Sequence, residues 1–307
     1  MRRYSLPRQH VFYNFSRDTE PALIVSPPCI INIETIDVFC GQLKQSHDIR
    51  QADRTRFHPV TGPVYIEGAE PGDVLAIEIK AIQVEQKAWQ GLIPGHGLLK
   101  PREFQTMEIS VTQNKLRLGH VSVPIRPMIG IIGVAPPYKA IPSFWPGNHG
   151  GNIDTKEVTN EAIVLLPVFH SGALFGIGDV HALQGDGEVC GMGAETSATV
   201  EIFLRLFKTS VFKITTPWIK YFDSVFVLTS ARTIEEAATE AIKYAVEFLH
   251  TKYGVTEEEA YCLCSLIGDL QISQVVNPWV TVKFAINMRS IELIGKTPHI
   301  LIAEDIF

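Results

Sequence analysis

Alternation of apolar and polar positions dominates the chain and predicts mostly short strands. In residues 75–81, apolar side chains alternate with Glu78 and Lys80, which is the period of a strand with one buried face. The same alternation recurs in residues 200–206 and 280–286. Gln113-Asn114 separates two further apolar runs and predicts a hairpin turn. Prolines spread through these regions favour short antiparallel strands over long helices.

Helical periodicity is concentrated late in the chain. Thr233 and Glu236 have the spacing of a capping box, and apolar residues then recur at intervals of three and four. Gly254 predicts the end of this helix, and Thr256 with Glu259 predicts a second, shorter one. Many strands followed by two helices and a final strand predict a mainly β fold with an α+β addition.

Two loops rich in proline and glycine, at residues 94–101 and 136–151, are the candidate boundaries. They predict a β-rich domain over residues 1–150 with sandwich and barrel-like parts. Residues 151–307 are then expected to form a β-rich segment with a polar hairpin, followed by the α+β region.

Composition and charge exclude several classes of protein. The chain has 307 residues, 46% of them hydrophobic, and a net charge of −6, which is typical of a globular protein. Because Lys and Arg are not clustered, binding to nucleic acid or to an anionic membrane is not expected. The N-terminal residues lack the apolar core of a signal peptide, and five irregularly spaced cysteines suggest reduced thiols. Both features predict a cytoplasmic protein.

The strongest candidate for chemistry is the glycine-rich, acidic segment 176–195. Asp179 and His181 are two residues apart, so on an extended chain they point to the same face. Asp186 and Glu188 repeat this spacing, and Glu195 adds another carboxylate. A histidine with several carboxylates suits a divalent metal such as zinc. The alternative is a polar hairpin whose acids are solvated and whose histidine is hydrogen-bonded.

Two other segments carry weaker signals. His149, Asn152 and Asp154 lie in a loop with three glycines, which predicts either site residues or a turn with an Asx hydrogen bond. Asp37 lies among the apolar residues of a predicted strand, where a buried charge requires a partner or a metal. The alternative for Asp37 is an edge strand on which it faces solvent.

Nucleophile motifs are missing from the sequence. Neither a Gly-x-Ser-x-Gly elbow nor a P-loop is present, and the glycines near residue 178 lack the dinucleotide-binding spacing. Cys190 lies inside the acidic segment, where nearby carboxylates raise the pKa of a thiol and disfavour the thiolate.

Taken together, motifs along most of the chain resemble the acetamidase/formamidase family. The matching segments are residues 61–73 (TGPVYIEGAEPGD), 129–136 (IGIIGVAP), 149–154 (HGGNID), 166–169 (LPVF), 178–182 (GDVHA), 184–188 (QGDGE), and 259–261 (EAY) through 268–269 (GD). The resemblance implies hydrolysis of small aliphatic amides, such as formamide or acetamide, to a carboxylic acid and ammonia. It also implies a jelly-roll-like β-sandwich, a small barrel-like region and an α+β part, in a cytoplasmic homo-oligomer, expected to be a dimer.

The resemblance further implies a bound divalent ion, with zinc favoured and calcium second. Carried over by position, it implies a site formed by Asp37, His149, Asp154, Asp179, His181 and Glu195. Our hypothesis takes metal ligands from Asp37, Asp179, His181 and Glu195. It assigns proton transfer to Asp154, Glu188 or Glu195, and it assigns substrate contacts to His149, Asn152 and Trp145.

Three alternatives remain open from the sequence. A covalent route would use Cys190 as the nucleophile, assisted by His181 or His149. A metal-stabilised β-sandwich could bind a small polar ligand without turnover. The third is hydrolysis of another C–N bond, in a cyclic amide or a larger carboxamide; pocket width decides this, and Trp145 and Phe144 are the candidate walls.

Overall fold

A computed structural model describes residues 1–45, 48–208 and 213–292. The described strands, in chain order, are β1 (Arg2–Leu6), β2 (Val11–Phe12), β3 (Asn14–Phe15), β4 (Leu23–Val25), β5 (Cys29–Thr35), β6 (Val60–Ile66), β7 (Val74–Val84), β8 (Lys87–Leu92), β9 (Gln105–Thr112), β10 (Lys115–Leu118), β11 (Val121–Pro124), β12 (Met128–Gly133), β13 (Ile141–Pro142), β14 (Pro146–Gly147), β15 (Gly150–Asn152), β16 (Ile163–Pro167), β17 (Phe175–His181), β18 (Glu195–Thr196), β19 (Ala198–Phe207), β20 (Trp218–Tyr221), β21 (Ser224–Ala231), β22 (Gly268–Gln274) and β23 (Val280–Asn287). The described α-helices are α1 (Ile234–Tyr253) and α2 (Glu257–Ile267), and short 3-10 turns form at Asp48–Arg50, Arg54–Arg56 and Met288–Ser290.

All the described strands except β3 and β13, which pair with each other, form two large sheets. This confirms the predicted mainly β fold with a small C-terminal α+β part. One sheet has the order β1-β5-β19-β7-β16-β20-β21-β23-β22. The other has the order β11-β10-β9-β8-β18-β17-β12-β15-β14, and β6 joins it to β2 and β4 by pairing with β17. Each sheet takes strands from both sides of residue 150, and the division into 1–150 and 151–307 stays a prediction. Over the described ranges, neither sheet closes on itself.

The main core lies between the two sheets. Buried and half-buried residues alternate along β5, so Ile31 and Ile33 face inward, as the period of two predicts. They join one apolar cluster with Ile77 of the same sheet and with Ile132 and Ile177 of the other. Burial of each such side chain contributes about 1.5–3 kcal/mol, so this cluster holds the sheets face to face.

The two helices cover the end of the nine-stranded sheet, and their boundaries follow the predicted signals. Thr233 accepts a hydrogen bond from the backbone N–H of Glu236, and Gly254 ends α1 with a φ of +65°. Thr256 and Glu259 form the full capping box of α2. Alanines spaced along α1 let it pack closely on the sheet, with Phe248 beside Trp218. Among the described helices, none has the length and apolar character required to cross a bilayer.

Candidate metal centre and active site

Strands β17 and β18 place three potential metal ligands beside one another. Asp179 and His181 lie on β17, and Glu195 opens β18 directly opposite His181 in the antiparallel register. His181 Nε2 lies 3.0 Å from Glu195 Oε2 and 3.4 Å from Asp179 Oδ1. Two ligands of one tetrahedral zinc ion stand roughly 3.3 Å apart, so these spacings match a common ion.

The three facing atoms are buried and have no hydrogen-bond partner among the described residues. Leaving a buried polar atom unpaired costs about 1–3 kcal/mol, and more for a charged group. These three atoms lie within 4.8 Å of one another, so a positive charge among them would stabilise the group. The arrangement fits a bound divalent cation, and the residue types suit zinc.

A hydrogen bond on the far side of the ring fixes the tautomer of His181. Its Nδ1 lies 2.7 Å from Oε1 of Gln184, and the Gln184 amide nitrogen donates to the backbone oxygen of Asp154. Because that amide oxygen can only accept, the imidazole proton is on Nδ1. The lone pair on Nε2 then faces Asp179 and Glu195. A hydrogen bond from the other ring nitrogen, such as the one to Gln184, is the usual outer support of a metal-bound histidine.

The pKa values of Glu195 and His181 also indicate that a positive charge stabilises this cluster. Burial raises the pKa of Glu195 to about 8, against the opposing effect of His181. Burial also disfavours the charged form of His181, but the Glu195 and Asp179 carboxylates raise its pKa well above the ordinary value. Without a metal, a proton on His181 therefore supplies the positive charge that the carboxylates require.

A second pair of acids, Asp154 and Glu188, converges on His181 from another side. Burial and the nearby charge of Asp179 raise the pKa of Asp154 to about 6. Burial and the charge of Asp154 raise the pKa of Glu188 well above its usual range. Buried carboxyls with separated pKa values are the groups that general acid–base catalysis uses.

Two asparagines hold the acids in place. The Asn277 amide nitrogen donates to Asp154 Oδ2 at 2.7 Å and to the backbone oxygen of Asn152 at 3.0 Å. The Asn152 amide satisfies its neighbours when its nitrogen faces Asp179 Oδ2 at 3.1 Å and Asp154 Oδ2 at 3.3 Å. Asn152, a predicted substrate contact, therefore bridges the two groups of acids.

Three of these acids have a backbone conformation that side chains rarely adopt. The φ angles are +42° at Asp154, +53° at Asp179 and +45° at Glu188. Each such residue costs on the order of 1–3 kcal/mol and persists where the surroundings fix it, typically at functional sites. All three side chains are also buried, which distinguishes the cluster from a solvated hairpin.

The acids form the floor of a cavity of about 330 Å³. Its lining includes Asn152, Asp154, Asp179, Glu188, Glu195 and Asn277. Apolar side chains from several separate parts of the chain form the wall, including Phe144. Trp145 lies beside Phe144 and packs edge-on against Trp279, with ring centroids 5.8 Å apart. The role of Trp145 in substrate binding stays a prediction.

Asp37 and His149 also lie outside both groups of acids. Asp37 follows the end of β5, and its Oδ1 accepts hydrogen bonds from the backbone of Phe39 at 2.9 Å and Gly41 at 3.2 Å. His149 packs edge-on against Phe15, and burial lowers its pKa to about 3. The predicted metal-ligand role of Asp37 and the substrate role of His149 stay predictions.

Gln184 and Asn277 hydrogen-bond to residues of the candidate site, and neither was predicted as a site residue. Gln184 lies three residues after His181 within the acidic segment. A metal-binding histidine usually needs a hydrogen-bond acceptor for its second ring nitrogen, and this nearby position could have suggested one. Asn277 comes from the loop between β22 and β23, far along the chain. Nothing in its local sequence distinguishes it from an ordinary turn residue.

Gly193 leaves the space that the His181 ring occupies. A Cβ at position 193 would stand 2.6 Å from His181 Cγ, whereas a Cβ at Gly185 would meet nothing within 4 Å. We expect Gly193→Ala to displace the ring and weaken divalent-ion binding at least tenfold, measured by calorimetric titration. The matched control Gly185→Ala should bind like wild type. Equal affinity of both variants would contradict the site.

A buried lysine ties the C-terminal hairpin to the acid-bearing loops. Lys283 is 0% exposed, and its Nζ contacts Glu157 and, at 2.7 Å, Asp186 Oδ1. We expect Lys283→Met to lower the free energy of unfolding by about 3–5 kcal/mol, because it leaves the buried Glu157 carboxylate without its cation. Urea unfolding measures this. The control Lys80→Met breaks an exposed pair with Glu78 and should cost below about 1 kcal/mol.

Comparison with known proteins supports the resemblance seen in the motifs. The sequence profile of the acetamidase/formamidase family matches residues 5–146 and 138–289. A formamidase of Methylophilus methylotrophus is 25% identical in an alignment 256 residues long, and the match covers 62% of this chain and 62% of that protein. The chain spans 60% and 62% of the length of the first curated relatives it matches.

Solved structures of similar proteins agree over nearly the whole chain. A predicted acetamidase/formamidase from Thermoanaerobacter tengcongensis has 34% sequence identity and a TM-score of 0.90, covering 93% of this chain and 95% of that one. An acetamidase from Bacillus halodurans also has 34% identity and a TM-score of 0.90, covering 95% of this chain and 100% of that one. This chain therefore belongs to the acetamidase/formamidase family.

Proposed function

We propose that this chain hydrolyses small linear amides to a carboxylic acid and ammonia. The observation that carries the proposal is the set of three unpartnered, buried ligand atoms of Asp179, His181 and Glu195. They lie on the floor of a cavity beside a second pair of buried carboxyls. Membership of the acetamidase/formamidase family and the names of its relatives support amide hydrolysis.

We infer that Asp179, His181 and Glu195 hold a divalent ion, and that the ion is zinc rather than calcium. An imidazole nitrogen with two carboxylates suits zinc, whereas calcium takes six to eight oxygen ligands. When bound, such an ion supplies Lewis acidity, which activates water and stabilises negative charge on a carbonyl oxygen. The Nδ1–H of His181, held by Gln184, keeps the ring in the ligating orientation.

Asp154 and Glu188 divide the proton transfers between them. With a pKa of about 6, Asp154 is largely ionised at neutral pH and accepts a proton from the attacking water. Glu188 retains its proton, because burial and the charge of Asp154 raise its pKa well above the usual range. As the C–O bond forms and the C–N bond breaks, Glu188 gives its proton to the departing nitrogen.

The covalent alternative finds little support in the contacts of Cys190. Its Sγ faces two acceptors, the Met192 backbone oxygen at 3.5 Å and Gln90 Oε1 at 3.9 Å, and neither is a base that could activate the thiol. We expect Cys190→Ser to keep ammonia release within about twofold of wild type. A loss of a hundredfold or more with an intact fold would revive the thiol route.

The deciding experiment combines elemental analysis with an ammonia assay on untagged protein. We expect about one zinc per chain and turnover of formamide or acetamide that chelation removes and added zinc restores. Turnover that survives complete removal of the ion would contradict the metal role. A bound ion with no turnover of any amide would instead favour the non-catalytic binding protein. The predicted homodimer and cytoplasmic location remain proposals.

A further inference from the structure

The cavity above the acids is much larger than the smallest amides. Its volume is about 330 Å³. A water molecule takes roughly 30 Å³ of liquid, and formamide or acetamide roughly two to three times as much. A small amide seated on the acidic floor would therefore leave most of the cavity unfilled.

The rest of the lining is mainly apolar, although His58 and His96 also belong to it. Its wall includes Phe39, Phe57, Ile93, Phe144, Met192 and Val276. Phe39 and Met192 are buried members of one apolar cluster, against which Phe57 and Ile93 pack. The wall is therefore backed by packed side chains, so its shape is largely preformed. An apolar wall above a few convergent polar groups is the usual composition of a site for a partly apolar ligand.

The two surfaces also orient an amide. The floor is rich in carboxyl oxygens, so it suits the two N–H donors of an unsubstituted –NH₂ group. The substituent on the carbonyl carbon then extends toward the apolar wall. The wall contacts are made only when that substituent is large enough to reach it.

From this arrangement we propose that the preferred substrates are primary amides with a bulky apolar acyl group, branched or aromatic, rather than formamide or acetamide. The inference rests on the proposed amide hydrolysis and specifies its substrate class. Each added methylene in an apolar pocket changes kcat/KM by roughly 10–200-fold, so the preference should be steep.

The test is kcat/KM for ammonia release from formamide, acetamide, isobutyramide and phenylacetamide on the ion-loaded protein. In phenylacetamide a methylene separates the ring from the carbonyl, so conjugation does not alter the reacting bond. We expect kcat/KM to rise at least about 100-fold from formamide to phenylacetamide. The highest value for formamide or acetamide would overturn the inference and leave the proposed function standing.

A wall variant separates acyl recognition from general damage. Phe144 is 39% exposed, so Phe144→Ala carries little folding risk. It should lower kcat/KM for phenylacetamide at least about tenfold more than for formamide. The control Tyr138→Ala removes a ring that is 90% exposed and outside the cavity lining, and should change neither value. Equal losses for both substrates in Phe144→Ala would contradict the assignment.

If none of the amides is hydrolysed, the proposed function is contradicted. The preference for a bulky acyl group can then still be tested by measuring amide binding. Ligand-observed NMR titration then compares phenylacetamide with acetamide on the same protein. Binding of phenylacetamide at least tenfold tighter would support the apolar acyl pocket. Equal or tighter binding of acetamide, or no binding of either, would overturn it.

Discussion

We expect Glu188→Gln to lower kcat for ammonia release by about 10²–10⁴-fold, the usual contribution of a general acid. Glu188→Gln keeps the size of the side chain and its capacity to hydrogen-bond, but the amide has no proton to give to the departing nitrogen. Steady-state kinetics at neutral pH measures the loss. KM should change little, because substrate positioning depends on the rest of the floor and the wall.

The pH dependence distinguishes this role from a structural one. A general acid works only while it is protonated, so wild-type kcat should fall as pH rises through the raised pKa of Glu188. That alkaline fall should be absent from the residual activity of Glu188→Gln.

A matched control exists elsewhere in the chain. Glu161 also has a left-handed backbone, with a φ of +70°, but it is exposed and outside the cavity lining. Glu161→Gln should therefore keep kcat within about twofold of wild type. Glu188→Gln with more than a tenth of wild-type activity would transfer the acid role to another group, and Asp154→Asn would be tested next.

Local signals in the sequence predicted individual elements well. The helix ends at Thr233 and Gly254 depend on side-chain and backbone preferences within a few residues, and the structure shows both. The turn at Gln113-Asn114 likewise has positive φ at both residues, as a tight hairpin requires. Such features need no information from distant parts of the chain.

The sequence could not predict which strands pair, because pairing depends on contacts between residues distant in sequence. Strands β16 and β17 follow one another after a short turn, and almost every residue in both is buried. The structure places them in different sheets, with β16 beside β7 and β20, and β17 beside β12, β6 and β18. Both strands are buried, so their own composition does not reveal which neighbours they have.

Site residues close in sequence could be predicted to lie together, whereas those brought in by distant segments could not. The spacing of Asp179 and His181 predicted a shared face, and the structure places the two side chains in contact. Glu195 joins them through the pairing of β18 with β17. Asn277 arrives from the β22–β23 loop, which Gln274 shapes by accepting two backbone hydrogen bonds. Only tertiary structure supplies that last contact.

We expect His181→Ala to lose the divalent ion of the proposed site and, with it, the proposed amide hydrolysis. The ring supplies the nitrogen ligand of the proposed site, and Asp179 and Glu195 are left facing one another in a buried position. Loss of an outer partner of a metal ligand typically costs 10–100-fold in affinity, so loss of the ligand itself should exceed about 100-fold. Calorimetric titration of zinc into ion-free protein measures the affinity, and elemental analysis measures the content as purified.

A graded series separates ion binding from simple packing. Gln184→Ala leaves the His181 ring in place but removes the acceptor of its Nδ1–H, so affinity should fall by about 10–100-fold, between wild type and His181→Ala. If His181 served only as a buried cation between two carboxylates, its loss would lower stability without changing ion content. One tightly bound ion per chain in His181→Ala would therefore place the ion elsewhere, whereas graded losses across the two variants would tie it to Nε2 of this ring.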